Sequence, residues 1–307
     1  WYYAMYTVHG MDFINTFLGF HNITRFTTPE HASRVTFWYY FPVIILGMFP
    51  WTGILFQSIK SSISDSRIDE MRTLMFMHVW WVFVLLFFTI CKTKLVSYIL
   101  PMFPALAIII GWNISRMVAK LRYNTTFYSW IVGSGIMFTL LGIGWVIGGQ
   151  QLPELEFSGL ILGGLTFVLG FAALFTLWYY RDVEMASWIH VATGATIMVV
   201  AFAFMMPMIE DRFSVKNISQ VYRQECNQSS EIYVDKFLRP GFMYYAGKPG
   251  VEMLPKTDAF AKALRKEEHK YFLVRGLEYR RLLKLQAKPE DLHTISEIGD
   301  IYLLEQK

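Results

Sequence analysis

"CKTKLVSYILPMFPALAIIIGW", residues 91–112, sets Lys92 and Lys94 directly against an apolar run, Leu95 to Trp112, that also carries Pro101 and Pro104. Such a run approaches the ~20 residues needed to cross ~30 Å of hydrocarbon. Working outward, comparable segments fall near 35–57, 73–91, 95–115, 126–148, 157–180 and 187–209. Any one of them alone could be a buried core helix of a soluble protein. Six in succession, joined by short polar links, predict a multi-spanning helical membrane bundle.

Composition agrees. The 307 residues are 54% hydrophobic and 17% aromatic but only 17% charged, where a soluble domain carries about 25% charged residues. Residues 210–307 hold 17 of the 28 Lys and Arg and 15 of the 24 Asp and Glu. This asymmetry predicts an outer-face loop at 1–34, a transmembrane region at 35–209 and a C-terminal domain at 210–307. A net charge of +4, with no basic stripe interleaved with aromatics, excludes a nucleic-acid partner. Two cysteines, Cys91 and Cys226, are too few for a disulfide framework. The opening "WYYAMYTVHG" has neither an initiator Met nor a signal-peptide pattern, so the chain reads as the downstream part of a longer protein.

Basic residues in the links orient the bundle. Lys60, Arg67, Arg72, Arg116, Lys120, Arg122 and Arg181 follow the first, third and fifth segments, while only Lys92 and Lys94 follow the second and fourth. The first set is expected in the cytoplasm. Residues 1–34, the Lys92–Lys94 turn and the C-terminal domain are then expected outside, at the cell membrane of a bacterium. Lys92 and Lys94 break the trend, either as snorkelling anchors or as part of a site.

Aromatics near the segment ends, such as Trp38, Tyr39 and Tyr40, Trp80 and Trp81, and Trp178–Tyr180, form an interfacial belt. Gly133, Gly135, Gly142, Gly144, Gly159, Gly163, Gly164 and Gly170 are expected to let helices approach closely. His78 and His190, within or at the edge of spans, read as packed, hydrogen-bonded residues rather than ligands. Beyond Phe213, "EIYVDKF", "GVEML", "HKYFLVRG", "HTISEIG" and "DIYLLEQ" read as strands. "NISQVYRQECN", "KTDAFAKALRKEE", with Thr257 or Asp258 as cap, and "LEYRRLLKL" read as helices, which predicts a small α/β domain. "RPGFMYYAGKPG" reads as a loop or a binding face. No glycine-rich phosphate loop, metal-spaced His/Cys cluster or nucleophile elbow occurs there.

Candidate chemistry concentrates in "GMDFINTFLGFHNITRFTTPEHASR", residues 10–34, which gathers Asp12, His21, Asn22, Arg25, Glu30, His31 and Arg34. Arg25 lies beside Phe26, and a guanidinium fork clasps a phosphate or carboxylate. With Lys92 and Lys94, three cations could surround one anionic group at the outer leaflet. The alternative is an exposed loop with scattered charges.

The stretches "FHNITRFTTPEH…FWYYFPVIILGMFPWT" and "TKLVSYILPMFPALAIIIG" resemble the polyprenol-phosphate-dependent glycosyltransferases of GT-C type. That family includes bacterial relatives of protein O-mannosyltransferases and the aminoarabinose transferases of lipid A. Matching positions include His21, Asn22, Arg25, Phe26, His31, Tyr39, Pro42, Gly47, Pro50, Trp51, Lys94, Leu95, Tyr98, Pro101 and Pro104. The match covers about the first 110 residues, and Val96 stands where the pattern usually has proline. The resemblance implies inverting transfer of a sugar from a polyprenyl-phosphate donor to a glycan, lipid or protein acceptor on the outer face. It implies Arg25, Lys94 and Tyr98 at the lipid phosphate, with His21, Asn22 and His31 orienting the loop. The acidic base of that family lies in the first outer loop, upstream of this chain, so the catalytic residue here is unknown. No metal ligand set is assigned; His21 and His31 are the residues that could help hold a divalent metal. The competing class is a transporter or flippase of lipid-linked sugars, against which stand the absence of inverted repeats and of mid-span charges. A plain membrane anchor displaying the α/β domain would leave Lys92 and Lys94 unexplained.

Overall fold

The structure is a computed structural model of the chain, and it describes residues 1–24, 27, 36–64, 71–119, 125–254, 259–264, 269–285 and 292–306. Two compact units divide at Val199/Val200. In the first, α1 (Tyr2–Ile14) is broken at Gly10, whose φ is 59°, and runs on as wider helical turns over Asn15–Thr24. Then come α2 (Tyr40–Gly47), α3 (Thr52–Ser64), α4 (Met71–Ile90), α5 (Phe103–Val118), α6 (Thr125–Gln150), α7 (Glu156–Phe175) and α8 (Val183–Val199).

Among the described residues, five stretches are long and apolar enough to cross a membrane: Arg72–Ile90, Val96–Val118, Phe127–Gln150, Pro153–Tyr180 and Val183–Phe213. The expected first span at 35–57 differs. Phe37–Gly47 and Thr52–Ser64 meet at a 106° bend. Pro50 has no N–H to offer a helix. The chain instead turns through Met48–Trp51, where the Trp51 amide donates to the Met48 carbonyl at 2.8 Å. The Thr52 hydroxyl donates to the Ile45 carbonyl at 2.6 Å, satisfying an acceptor that the broken helix frees.

The helices pack through small residues, as membrane helices must where apolar side chains gain nothing over lipid. α3 and α6 cross with backbones touching: a Cβ on Gly133 would lie 2.5 Å from the Gly53 carbonyl oxygen. α6 and α7 touch the same way, a Cβ on Gly159 falling 2.6 Å from the Trp145 carbonyl. Gly142, Gly163 and Gly170 are also closely faced, whereas Gly144 and Gly164 have open space. The buried core here includes Tyr40, Ile54, Leu55, Ile99, Leu106 and Trp130.

The second unit holds the end of the last span, α9 (Met206–Phe213), and α10 (Lys216–Glu225), β1 (Glu231–Asp235), α11 (Arg239–Ala246), β2 (Val251–Met253) and α12 (Ala259–Leu264). It continues with β3 (Lys270–Arg275), α13 (Gly276–Leu285), β4 (Leu292–Ile298) and β5 (Ile301–Gln306). The sheet order is β2-β1-β3-β5-β4. β1 pairs parallel with both β2 and β3, and β5 pairs antiparallel with β3 and β4. Strand β3 is buried over Lys270–Val274, as expected of a central strand with helices on its faces. "RPGFMYYAG", read as a loop, is instead α11, with Pro240 in its first turn and Gly247 closing it at φ 72°. The expected cap at Thr257 or Asp258 lies outside the described residues.

The contact at Gly53 makes the α3–α6 crossing intolerant of side chains. Gly133→Val is expected to cost about 1–3 kcal/mol, the range for overpacking a filled core, and to lower the melting temperature in detergent. Gly144→Ala, facing open space, should leave it unchanged.

Candidate functional site

The turn between α4 and α5 is built by two prolines. Leu95 is extended, residues Val96–Met102 wind tightly around Pro101, and α5 then starts with Pro104 in its first turn. The tight winding leaves Tyr98 half-buried, its ring 5.1 Å from that of Phe88.

Lys94 folds back over the end of α4. Its Nζ donates to the carbonyls of Phe88 at 3.3 Å and Cys91 at 2.9 Å, and also to Thr89. The final carbonyls of a helix lack partners within it and carry the negative end of its dipole. The lysine supplies both donors and charge. The same ammonium lies 5.7 Å from the centre of the Tyr40 ring. Burial lowers its pKa below the ordinary lysine value, opposed by the neighbouring Cys91 sulfur. Lys92 is exposed. Of the two lysines, Lys94 is therefore the structured one.

The remaining expected site residues are less defined. Arg25 and His31 lie outside the described residues. His21 and Asn22 fall in the helical turns Asn15–Thr24, with only their backbone described. The structure brings Lys94 and Tyr98 to one helix junction, together with Tyr40, which the sequence reading placed in the interfacial belt. That arrangement offers a cation beside an aromatic wall at the end of a span.

Both span histidines are packed. The Trp81 indole N–H donates to His78 Nδ1 at 3.0 Å, so Nε2 carries the proton and donates to Ser62 Oγ at 2.8 Å. His190 Nδ1 donates to the Ala186 carbonyl at 2.8 Å, leaving Nε2 to accept from Ser134 Oγ at 3.4 Å. The His190 ring lies 5.0 Å from Trp51, stacked, with Trp130 and Phe138 at 5.3 and 5.5 Å. No group of three or more His, Cys, Asp or Glu suited to a metal occurs among the described residues.

In the sheet domain, two polar links went unread in the sequence. Asp235, at the end of β1 and fully buried, accepts from Arg275 Nε at 2.9 Å, and that guanidinium sits 4.6 Å from the Phe237 ring. Ser230, His269 and Glu305 form a chain of two 2.9 Å bonds through the imidazole. Lys248 holds the same loop through the carbonyls of Gln228 and Ser230, both at 2.7 Å. The first ties the end of β1 to β3; the others tie the loop before β1 to β5 through His269 and to the segment after α11 through Lys248. Their partners are far apart in sequence, so no local motif announces them. Buried Cys226 has its thiol pushed up to about 12, mainly by burial and then by Glu305 and Glu225.

These features define a multi-pass helical membrane protein joined to a mixed α/β domain. No family model matches the chain. It is 29% identical over 237 residues, 73% of this chain, to an undecaprenyl phosphate-alpha-4-amino-4-deoxy-L-arabinose arabinosyl transferase of Proteus mirabilis. It is 32% identical over 169 residues to the Pectobacterium atrosepticum protein of that name. The chain spans 40% and 30% of those relatives' lengths. Among solved structures, ArnT of Cupriavidus metallidurans bound to undecaprenyl phosphate superposes with a TM-score of 0.68 at 16% identity. The match covers 99% of this chain and 57% of that one. The apo form of the same protein gives 0.66. The chain thus has the fold of part of ArnT and resembles the polyprenol-phosphate-sugar-dependent transferases of GT-C type, as its motifs indicate.

The capping role of Lys94 has a measurable consequence. Lys94→Ala should destabilise the folded chain in detergent by about 1–2 kcal/mol, the scale of a charge at a partly buried helix C-terminus. Lys92→Ala should cost less than about 0.5 kcal/mol, as exposed substitutions do. Thermal unfolding followed by circular dichroism compares the two.

Proposed function

We propose that this chain is the donor-binding part of a membrane glycosyltransferase that moves a sugar from a polyprenyl-phosphate lipid to an acceptor on the outer face of the membrane. The observation that carries the reading is the coincidence of motif and fold. "TKLVSYILPMFPALA" supplies Lys94 and Tyr98 at a helix junction, and the structure that the whole chain overlays holds undecaprenyl phosphate. The names of the relatives make an aminopentose the sugar of choice, hence a pentosyl transfer.

In this reading the acceptor oxygen attacks the anomeric carbon and gives up any proton it carries to a base not assigned among these residues, the bond to the phosphate oxygen breaks, and polyprenyl phosphate leaves with the electron pair. Negative charge grows on the phosphate as the bond breaks. Fixed cations in a water-poor site stabilise that added charge more than the single negative charge of the intact phosphodiester. Arg25 offers the fork and Lys94 a point charge, with Tyr98 at the Lys94 junction as a hydroxyl donor. Lys94 must exchange at least one α4 carbonyl for a phosphate oxygen, because its three N–H groups are already committed. No carboxylate of this chain is assigned the role of base. A flippase of lipid-linked sugars would use the same cations but form no new glycosidic bond.

Undecaprenyl-phosphate binding by the purified chain tests the assignment. Arg25→Ala should weaken binding about ten- to hundredfold, since a charge-assisted hydrogen bond contributes about 1.5–3 kcal/mol. Arg25→Lys should recover part of it. A well-folded Arg25→Ala chain that binds as the parent does would place the phosphate elsewhere.

The orientation is tested in a background lacking Cys91 and Cys226. Single cysteines at Gln151 and Ser229, both exposed, should react with an impermeant maleimide in intact cells. Those at Ser64 and Ala119, also exposed, should react only after lysis. The reverse pattern would overturn the proposed topology.

A further inference from the structure

Only Arg181 and Asp182 separate the span Pro153–Tyr180 from the span Val183–Phe213. A turn that short between two crossings has to lie at the bilayer surface. Trp178, Tyr179 and Tyr180 beside it are 66%, 65% and 63% exposed, the amphipathic rings expected at headgroup level. At this turn a cleft of about 270 Å³ opens between the end of α5 and the start of α8. Met117, Val118 and Val183 line it with apolar atoms, and Tyr180, Arg181, Asp182 and Glu184 with polar ones.

The lining carries one positive and two negative side chains within four consecutive residues. Asp182 has a structural duty as well, accepting from the Met185 amide at 2.8 Å through Oδ1 as the cap of α8. Arg181 holds a left-handed backbone at φ 50° and ψ 33°, uncommon for a residue with a side chain. Among its described lining residues the cleft therefore presents both charge signs at membrane level, with two carboxylates to one guanidinium. A purely anionic headgroup would meet repulsion from two carboxylates. A choline headgroup has no N–H to donate to them.

We propose that this cleft is a binding site for a phospholipid headgroup bearing both a phosphate and a primary ammonium, of phosphoethanolamine type. Arg181 takes the phosphate. Asp182 and Glu184 take the ammonium. Val118, 41% exposed, meets the start of the acyl chains, with the buried Met117 and Val183 behind it. The site is independent of the donor phosphate at Lys94 and stands or falls apart from it.

Native mass spectrometry of the purified chain, released from micelles holding equal amounts of phosphatidylethanolamine, phosphatidylcholine and phosphatidylglycerol with identical acyl chains, tests the proposal. The ethanolamine lipid should be retained about tenfold over the other two, the lower end of what one charge-assisted hydrogen bond contributes. In the Asp182→Asn, Glu184→Gln double variant the cap survives, since Asn caps as well as Asp. The ethanolamine-to-choline ratio should there fall to near one. Arg181→Gln should reduce retention of all three lipids. Equal retention by the parent chain, or an undiminished ethanolamine preference in the double variant, would overturn the proposal.

Discussion

No backbone polar group can be left without a partner in hydrocarbon, and the bend between Gly47 and Thr52 is the place where this chain meets that constraint most sharply. Helix hydrogen bonding stops there, and groups released at membrane depth have to be satisfied within the protein. Thr52 reaches back to Ile45, and the Trp51 amide to Met48. The rest of the bundle is arranged to receive the bend. His190 stacks on Trp51, and a Cβ on Gly194 would lie 3.3 Å from the Pro50 ring. The limb that follows turns Thr52, Ser58, Ser61 and Ser62 inward. Ser58 donates to the Ile54 carbonyl and accepts from Asn113 of α5, while Ser62 meets His78 of α4. Much of the described polar interior of this bundle thus gathers on the limb after the bend, which His78 meets by a hydrogen bond, while His190 meets the bend itself by stacking.

The same constraint explains why a lysine sits where the positive-inside trend predicts none. The end of α4 leaves carbonyls at the edge of the membrane, and Lys94 satisfies three of them. A lysine so used is held in place before any ligand arrives. Its ammonium lies beside the Tyr40 ring, whereas Lys92 is exposed. A helix C-terminus and a phosphate make the same demand, a compact cation with several donors. One residue can serve both by exchange.

Hydropathy made the five straight spans legible, because crossing a bilayer is a demand on composition. It could not show the bend, since a sum over residues carries no direction. The signal was nonetheless in "MFPWT", where Pro50 interrupts an otherwise apolar helix. In the sheet domain the five strands could be read from β-branched and aromatic runs. "RPGFMYYAG" misled because Pro and Gly were taken as loop punctuation; Pro at the start and Gly just after the end are also the marks of a capped helix, as α11 shows. Of the candidate site, the sequence pointed to Lys94 and Tyr98 by motif. It was silent on what Lys94 touches, because backbone carbonyls leave no trace in a sequence. Tyr40 was assigned to the interfacial belt, yet it is buried at 1% exposure beside that lysine.

Three crossings separate the turn at Lys94 from the turn at Arg181, so the two open on opposite faces of the bilayer. They show how local charge composition sets what a membrane-edge cleft can hold. At the first, the described side chain carrying charge into the junction is a lone ammonium whose counterparts are helix carbonyls, which hold it without cancelling its charge. Such a place favours an anion. At the second, a guanidinium is outnumbered by two carboxylates among the described residues of the same cleft. A simple anion is repelled there, and a headgroup with its own ammonium is not. Partial withdrawal from water strengthens both preferences, since the effective dielectric constant falls as the groups enter the bilayer edge. The selectivity of each turn then follows from two or three side chains and their depth, without a deep pocket.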